Sequence, residues 1–259
     1  MKFLFITTLI TITFGITNSC VAQNPFISKA ISAADHKRPH PLQDALNAGF
    51  AGVVAEVNLS KEGQLKCGSK YLEDLYIKPL QGLVNQNNGR VYAGVPNEFL
   101  LILSIKSDST ETYNTLTKLL ASYSTMLTEF KAENVTKKAV RVIISGEITL
   151  KLIQSQSVRL CTADEPIQKI AQGYGNTIIS LSTLNFGKQF NWSGEGNMTN
   201  TEFYSMTTFV KLAHKSGRLV RFQRIPEKAN AFNLMDKAGV DLFEINDIDN
   251  FISYWRNRY

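Results

Sequence analysis

The sequence predicts one α/β domain, a single (β/α)8 barrel, and three observations carry that prediction. Short β-branched apolar runs alternate with longer amphipathic ones, the order expected of βα units around a parallel sheet. Runs such as Val140-Arg141-Val142-Ile143-Ile144 are too continuously apolar for a sheet with one wet face. An N-terminal leader leaves roughly 237 of the 259 residues, a length that suits one barrel and needs no disulfide staple.

Eight strand-like runs fall at 26–32, 52–59, 99–105, 140–145, 158–161, 177–181, 219–223 and 241–245. Between them, 108–130 is expected to be helical. Asp108 and Glu111 have capping-box spacing, and Tyr113, Leu116, Leu120, Tyr123 and Leu127 share one stripe. A second helix spans 199–216, with Phe203, Met206, Val210 and Ala213 on its apolar face and Gly217 as a left-handed cap. Pro226 precedes a third, over 227–238, and Gly239 closes it. Ser60-Lys61-Glu62-Gly63 reads as a turn into a small returning strand at 64–67. The long polar stretch 184–200 carries Trp192. No linker, repeat or low-complexity tract divides the chain after residue 22.

Met1-Lys2, an uncharged apolar and threonine-rich run to Thr17, and the small residues Ser19, Cys20 and Ala22 read as an export signal of a bacterial protein. The run is too short and too close to the terminus for a membrane span. Cleavage after Ala22 leaves 23–259 as the exported domain, periplasmic or extracellular. The alternative is lipid attachment at Cys20, although Thr17-Asn18-Ser19 lacks the usual preceding leucine. Cys67 and Cys161 then read as two buried thiols rather than a bridge. The net charge of +6 is scattered, without a basic block interleaved with aromatics, which argues against nucleic acid as a partner.

Several segments, in order, resemble phospholipase-C-like and glycerophosphodiester-phosphodiesterase-like barrels. They begin with Pro41-Leu42-Gln43-Asp44-Ala45-Leu46 and Val53-Val54-Ala55-Glu56-Val57, then Leu65-Lys66-Cys67-Gly68-Ser69 and Leu101-Ile102-Leu103-Ser104-Ile105-Lys106. Val142-Ile143-Ile144-Ser145-Gly146 and the run from Asn185 to Trp192 follow, then Gly217-Arg218-Leu219-Val220-Arg221-Phe222 and Ala238-Gly239-Val240-Asp241-Leu242. The resemblance implies that the two catalytic histidines of the family are replaced by Ala33 and Ser69. It also implies that three metal carboxylates correspond to Val54, Glu56 and Ser104, of which Glu56 alone keeps its charge. Alanine cannot move a proton, and valine offers a cation no oxygen. The resemblance therefore implies the fold while removing the chemistry, and neither Ca2+ nor Mg2+ is expected as a cofactor.

This leads to an exported barrel, catalytically inactive or severely impaired, that acts as a binding or interaction module. Its expected partner is an anionic or phosphate-bearing small molecule or a lipid headgroup. The alternative is an active phosphoric diester hydrolase rebuilt around Asp35, His36 and Glu56, which would call for Ca2+ or Mg2+. Asp35 and Glu56 are otherwise solvated or salt-bridged, and His36 and His40 are exposed loop residues. Lys106 faces an anion or pairs with Glu56; Arg221 faces an anion or is structural. Trp192 forms a pocket wall or caps the apolar face of the barrel. His214 lies on the surface of a helix.

Overall fold

A computed structural model describes residues 24–107, 109–146, 150–166 and 173–258. The leader 1–22, Cys20, Gln23 and the Asp108 cap lie outside the described residues. Eight parallel strands close into a barrel: β1 (Ile27–Ser32), β2 (Phe50–Leu59), β3 (Phe99–Ile105), β4 (Val140–Gly146), β5 (Cys161–Pro166), β6 (Ile179–Asn185), β7 (Leu219–Gln223) and β8 (Leu242–Ile245). Each pairs with its sequence neighbours, and closure comes from β1, which pairs with both β8 (Ile31↔Glu244) and β2 (Ile31↔Gly52). Gly52 is required where β2 meets β3, because a Cβ there would lie 2.3 Å from the Leu100 carbonyl oxygen.

Helices α1 (Gln43–Asn47), α2 (Lys78–Gln86), α3 (Ser109–Ala121), α4 (Leu150–Gln154), α5 (Phe186–Gln189), α6 (Asn200–Lys215), α7 (Ala229–Ala238) and α8 (Ile248–Arg256) follow the strands. The core has two parts, as a barrel demands. The larger lies between strands and helices, and includes Phe50, Phe232, Phe243 and Phe251 in edge-on and stacked contacts. The smaller fills the lumen with Ile31, Val54, Leu100, Ile102, Ile143, Leu181 and Leu242.

Helix signals in the sequence correspond to local chemistry. Thr199 caps α6 by accepting from the Glu202 N–H (3.2 Å) and itself donating to the Glu202 carboxylate (2.9 Å). Gly217 and Gly239 adopt φ of 68° and 88° after α6 and α7. The turn after Leu59 returns as Leu65–Cys67, antiparallel to β2. Cys67 and Cys161 are buried free thiols, both pushed up to about 12 by burial.

Three boundaries differ from expectation. The helix expected over 108–130 ends at Ala121. Leu127 instead bridges to Val140, and the chain turns into a small antiparallel sheet of Glu129–Lys131, Asn134–Thr136 and Val158–Arg159. So 158–159 belongs to that sheet, and the fifth barrel strand lies further on, at Cys161–Pro166. The sixth runs to Asn185 rather than stopping at Leu181. Polar residues obscured both ends in the sequence; partners across the lumen explain why they are strands.

Candidate functional site

The C-terminal ends of the strands carry two charged groupings. The first surrounds Glu56, at the end of β2. Its Oε2 lies 3.6 Å from His36 Nε2 and 3.7 Å from Lys37 Nζ, and its Oε1 lies 3.8 Å from Lys106 Nζ. None of the three reaches hydrogen-bond distance, so attraction here is ionic and unspecific in direction. The Glu56 side chain is 37% exposed and both lysines are more so, which opens this grouping to solvent.

The loop after β1 brings His36 to Glu56. Ala33 continues the strand, its N–H bonded to the Ile245 carbonyl at 2.8 Å, and Ala34 turns the chain with φ of 42°. Asp35 then enters the interior. It accepts from Ser32 Oγ (2.7 Å), the Leu42 N–H (2.6 Å) and Tyr76 Oη (2.9 Å). Burial pushes its carboxyl above the ordinary range, against the pull of these bonds and of Arg38. Arg38 fastens the same loop to β8, donating to Ser32 Oγ, Ile245 O and Asn246 O. Asp35 is thus a buried anchor, with Arg38 Nε 3.9 Å from its Oδ1, so of its two expected states it takes the salt-bridged one and not the solvated one. A loop position suggested water because the sequence does not show that Leu42, Ser32 and Tyr76 converge on it.

His36 is also a correction. Its side chain is 4% exposed, and Nδ1 accepts from the Glu56 backbone N–H at 3.3 Å. Burial holds the imidazole below its usual value, with Glu56 opposing and Lys37 reinforcing. His40 is exposed beside Asp44, and His214, on the surface of α6, pairs with Asp241.

The second grouping fills the mouth beyond β4. Arg221 donates through Nη2 to Asp164 (2.6 Å) and through Nε to Thr183 Oγ1 (2.9 Å), and its Nη1 stands 3.3 Å from Glu244 Oε2. Ser145 and Thr183 each donate to Asp164, at 2.8 and 2.6 Å. Arg221 and Asp164 side chains are both 3% exposed. Burial raises the Glu244 carboxyl, with Arg221 opposing. Arg221 is therefore turned to internal carboxylates, not to an incoming anion. Buried charges persist in a lumen only when paired in this way.

The other expected positions are scattered. Val54 belongs to the apolar lumen layer. Ser104 lies in register between Glu56 and Ser145, whereas Ser69 is exposed in the turn before Lys70–Tyr71. Half-buried Trp192 donates its indole N–H to Glu195 O at 2.7 Å and packs over Phe186, with ring centres 6.5 Å apart.

The positions that the family resemblance assigns to a divalent cation do not fit one. Val54 offers no donor, Ser104 only a neutral hydroxyl, and Glu56 is ringed by three groups of positive or potentially positive charge. Among the described residues no cluster of three or more His, Cys, Asp or Glu is placed to hold a metal ion. No helix among them is long and apolar enough to cross a membrane.

Asp164, Thr183, Glu244 and Lys37 were missed by sequence reasoning. A signal existed for Glu244, a single charge inside the apolar run Leu242-Phe243-Glu244-Ile245. Nothing local marked Asp164, because Asp164-Glu165-Pro166 has the composition of a turn.

Comparison with known proteins agrees with the barrel. Residues 23–161, more than half the chain, match the family model described as the AIM6-like phosphodiesterase domain. A glycerophosphodiester phosphodiesterase structure from Parabacteroides distasonis ATCC 8503 is 11% identical with a TM-score of 0.52, covering 91% of this chain and 99% of that one. One from Agrobacterium tumefaciens str. C58 is 10% identical with a TM-score of 0.50, covering 89% of this chain and 100% of the other. At such identities the likeness is one of fold. No curated protein sequence matches.

Proposed function

The chain belongs to the AIM6-like phosphodiesterase family, and from that premise we propose a barrel that has kept the family's site face as an anion-binding surface and lost hydrolysis. The observation that carries this reading is the state of the mouth. Ala33 and Ser69 stand at the positions the resemblance assigns to the acid and base, and the nearest histidine, His36, has Nδ1 engaged by the Glu56 N–H. General acid–base catalysis is worth roughly 10²- to 10⁴-fold for each group, so loss of both removes the reaction rather than slowing it.

What remains is charge. Lys37 and Lys106 are exposed, lie at the ends of β1 and β3 and share a single carboxylate. Their ammonium groups act as point charges for a phosphate or carboxylate-bearing ligand, either a small molecule or a lipid headgroup. Export through the leader 1–22 belongs to the same proposal. It predicts Gln23 as the first residue of the secreted protein, whereas a lipid-modified Cys20 would place the protein on a membrane surface.

The test is an assay of the purified protein on glycerophosphodiesters and a chromogenic phosphodiester, with Ca2+, Mg2+, Mn2+ or chelator, beside calorimetric titration with inorganic phosphate. Phosphate binding that weakens in Lys106→Ala, without turnover, is the expected result. Metal-dependent turnover that disappears in Glu56→Gln would overturn it. One observation favours that rival, an active site rebuilt with Ca2+ or Mg2+: His36 Nε2 and Glu56 Oε2 stand 3.6 Å apart at the barrel mouth, an ionic contact between a base and a carboxylate. Asp35, the third residue of that rival site, is committed to the interior.

A further inference from the structure

The opposite end of the barrel holds a cavity of about 420 Å3, built from the beginnings of the strands rather than their ends. Leu100, Leu219 and Leu242 line it and belong to or pack on the apolar layer of the lumen, so its inner end is hydrocarbon. Small residues at the starts of other strands leave it open, among them Ala51 and Ser180. Its size falls in the range of ligand pockets, where an apolar wall with a few placed polar groups is the usual pattern.

Charge at the rim has one sign left over. Glu98 also lines the cavity, but its carboxylate is bound by Arg141 Nη2 (2.6 Å) and by Thr128 Oγ1. Asp241 accepts the Val220 N–H at 2.7 Å and pairs with His214 at 2.8 Å. Lys29 is spent on Asp236 (2.8 Å) and the Val240 carbonyl (3.0 Å). Lys137 is exposed and has no acidic partner within salt-bridge reach among the described residues, and the buried Nε of Arg141 has no hydrogen-bond partner there. Both acids are thus held by protein donors and Arg141 is spent on Glu98, so among the described residues Lys137 is the lining cation left without an ionic partner over an apolar pit.

We propose that this N-terminal opening binds a small amphiphile with one anionic head and a short unbranched apolar tail, the head at Lys137 and the tail against Leu100, Leu219 and Leu242. A free inorganic anion would leave the apolar wall wet, and a neutral hydrocarbon would leave Lys137 unused. The site is separate from the Glu56 grouping, which lies at the other ends of the strands.

Decanoate, below its micellar range, is the probe, titrated calorimetrically into the purified protein. Shortening the tail to octanoate should weaken binding about fourfold for each methylene removed. Lys137→Glu, a change at an exposed position that the fold tolerates, should weaken decanoate binding about tenfold and leave phosphate binding at the mouth unaltered. Leu219→Trp, which fills the pit, should abolish it in protein whose circular dichroism is that of the parent. Absence of decanoate binding by the parent overturns the proposal, as does equal affinity in Lys137→Glu or equal affinity of acetate and decanoate. Loss of phosphate binding in the parent, with decanoate still bound, would instead sink the mouth reading alone.

Discussion

Replacing Glu56 with glutamine should strengthen anion binding at the mouth, contrary to the loss that a catalytic or metal-binding carboxylate would show. The carboxylate sits 3.6 to 3.8 Å from His36, Lys37 and Lys106 and makes none of the short hydrogen bonds that would give it a structural claim on them. It is in effect an internal anion that an incoming phosphate must displace or tolerate. At about 4 Å a pair of unit charges is worth about 1 kcal/mol in bulk water, and exposed pairs measured singly give about 0.2–1 kcal/mol. Two lysines therefore give about 0.4–2 kcal/mol, and Glu56→Gln should tighten inorganic phosphate by about 2- to 30-fold. Glutamine keeps the shape, so packing changes little. The gain should shrink as salt is raised, because the groups are open to screening. Calorimetric titration of parent, Glu56→Gln and Glu56→Gln/Lys106→Ala at two ionic strengths reads this directly. Unchanged affinity would show that the lysines do not form the anion site, and weaker affinity would show that Glu56 itself holds the ligand.

Four further outcomes follow from the same geometry. Asp35→Ala strips three buried donors of their acceptor and should cost about 2–4 kcal/mol in chemical denaturation; a change within error would show that the first loop is anchored elsewhere. Arg221→Met leaves Asp164 and Glu244 facing each other unpaired and should cost about 3–5 kcal/mol, much of it recovered in Arg221→Met/Asp164→Leu, which a double-mutant cycle will resolve. Burial holds His36 below its ordinary 6.5, so the fold prefers the neutral ring. Its stabilising share is present above that value and is lost as pH falls through it toward the lower folded pKa. His36→Gln should accordingly flatten the fall in melting temperature as pH drops below the ordinary 6.5, and an unchanged slope would exclude the ring as its source. Restoring the family groups with Ala33→His, Val54→Glu, Ser69→His and Ser104→Asp should bind Ca2+ only at raised pH. Glu at 54 enters an apolar layer that holds its proton; calorimetry across pH tests this, and tight binding at neutral pH would contradict it.

The fold was legible wherever local chemistry and tertiary placement agree. In β3 and β4 continuous apolar residues are wanted by both the lumen and the helix layer, so hydropathy alone locates them. Thr199 and Glu202 cap α6 with groups three residues apart, which any reading of the sequence can see.

What the sequence could not determine is where a charge goes when its partner is far along the chain. Asp164 lies in what looks like a turn, and becomes the end of a strand because Arg221, 57 residues later, neutralises it in the lumen. Asp35 looks solvated until Leu42 and Tyr76 close on it, and His36 looks exposed until β2 supplies the Glu56 N–H. Arg221 looks available to a ligand until Asp164 and Glu244 surround it. A residue's own neighbours set its backbone preference, but the cost of burying a charge depends on groups that only barrel closure brings within hydrogen-bond distance. The sequence by itself thus determined the barrel, and the tertiary structure decided which of the charges at its mouth are spent inside and which stay open to solvent.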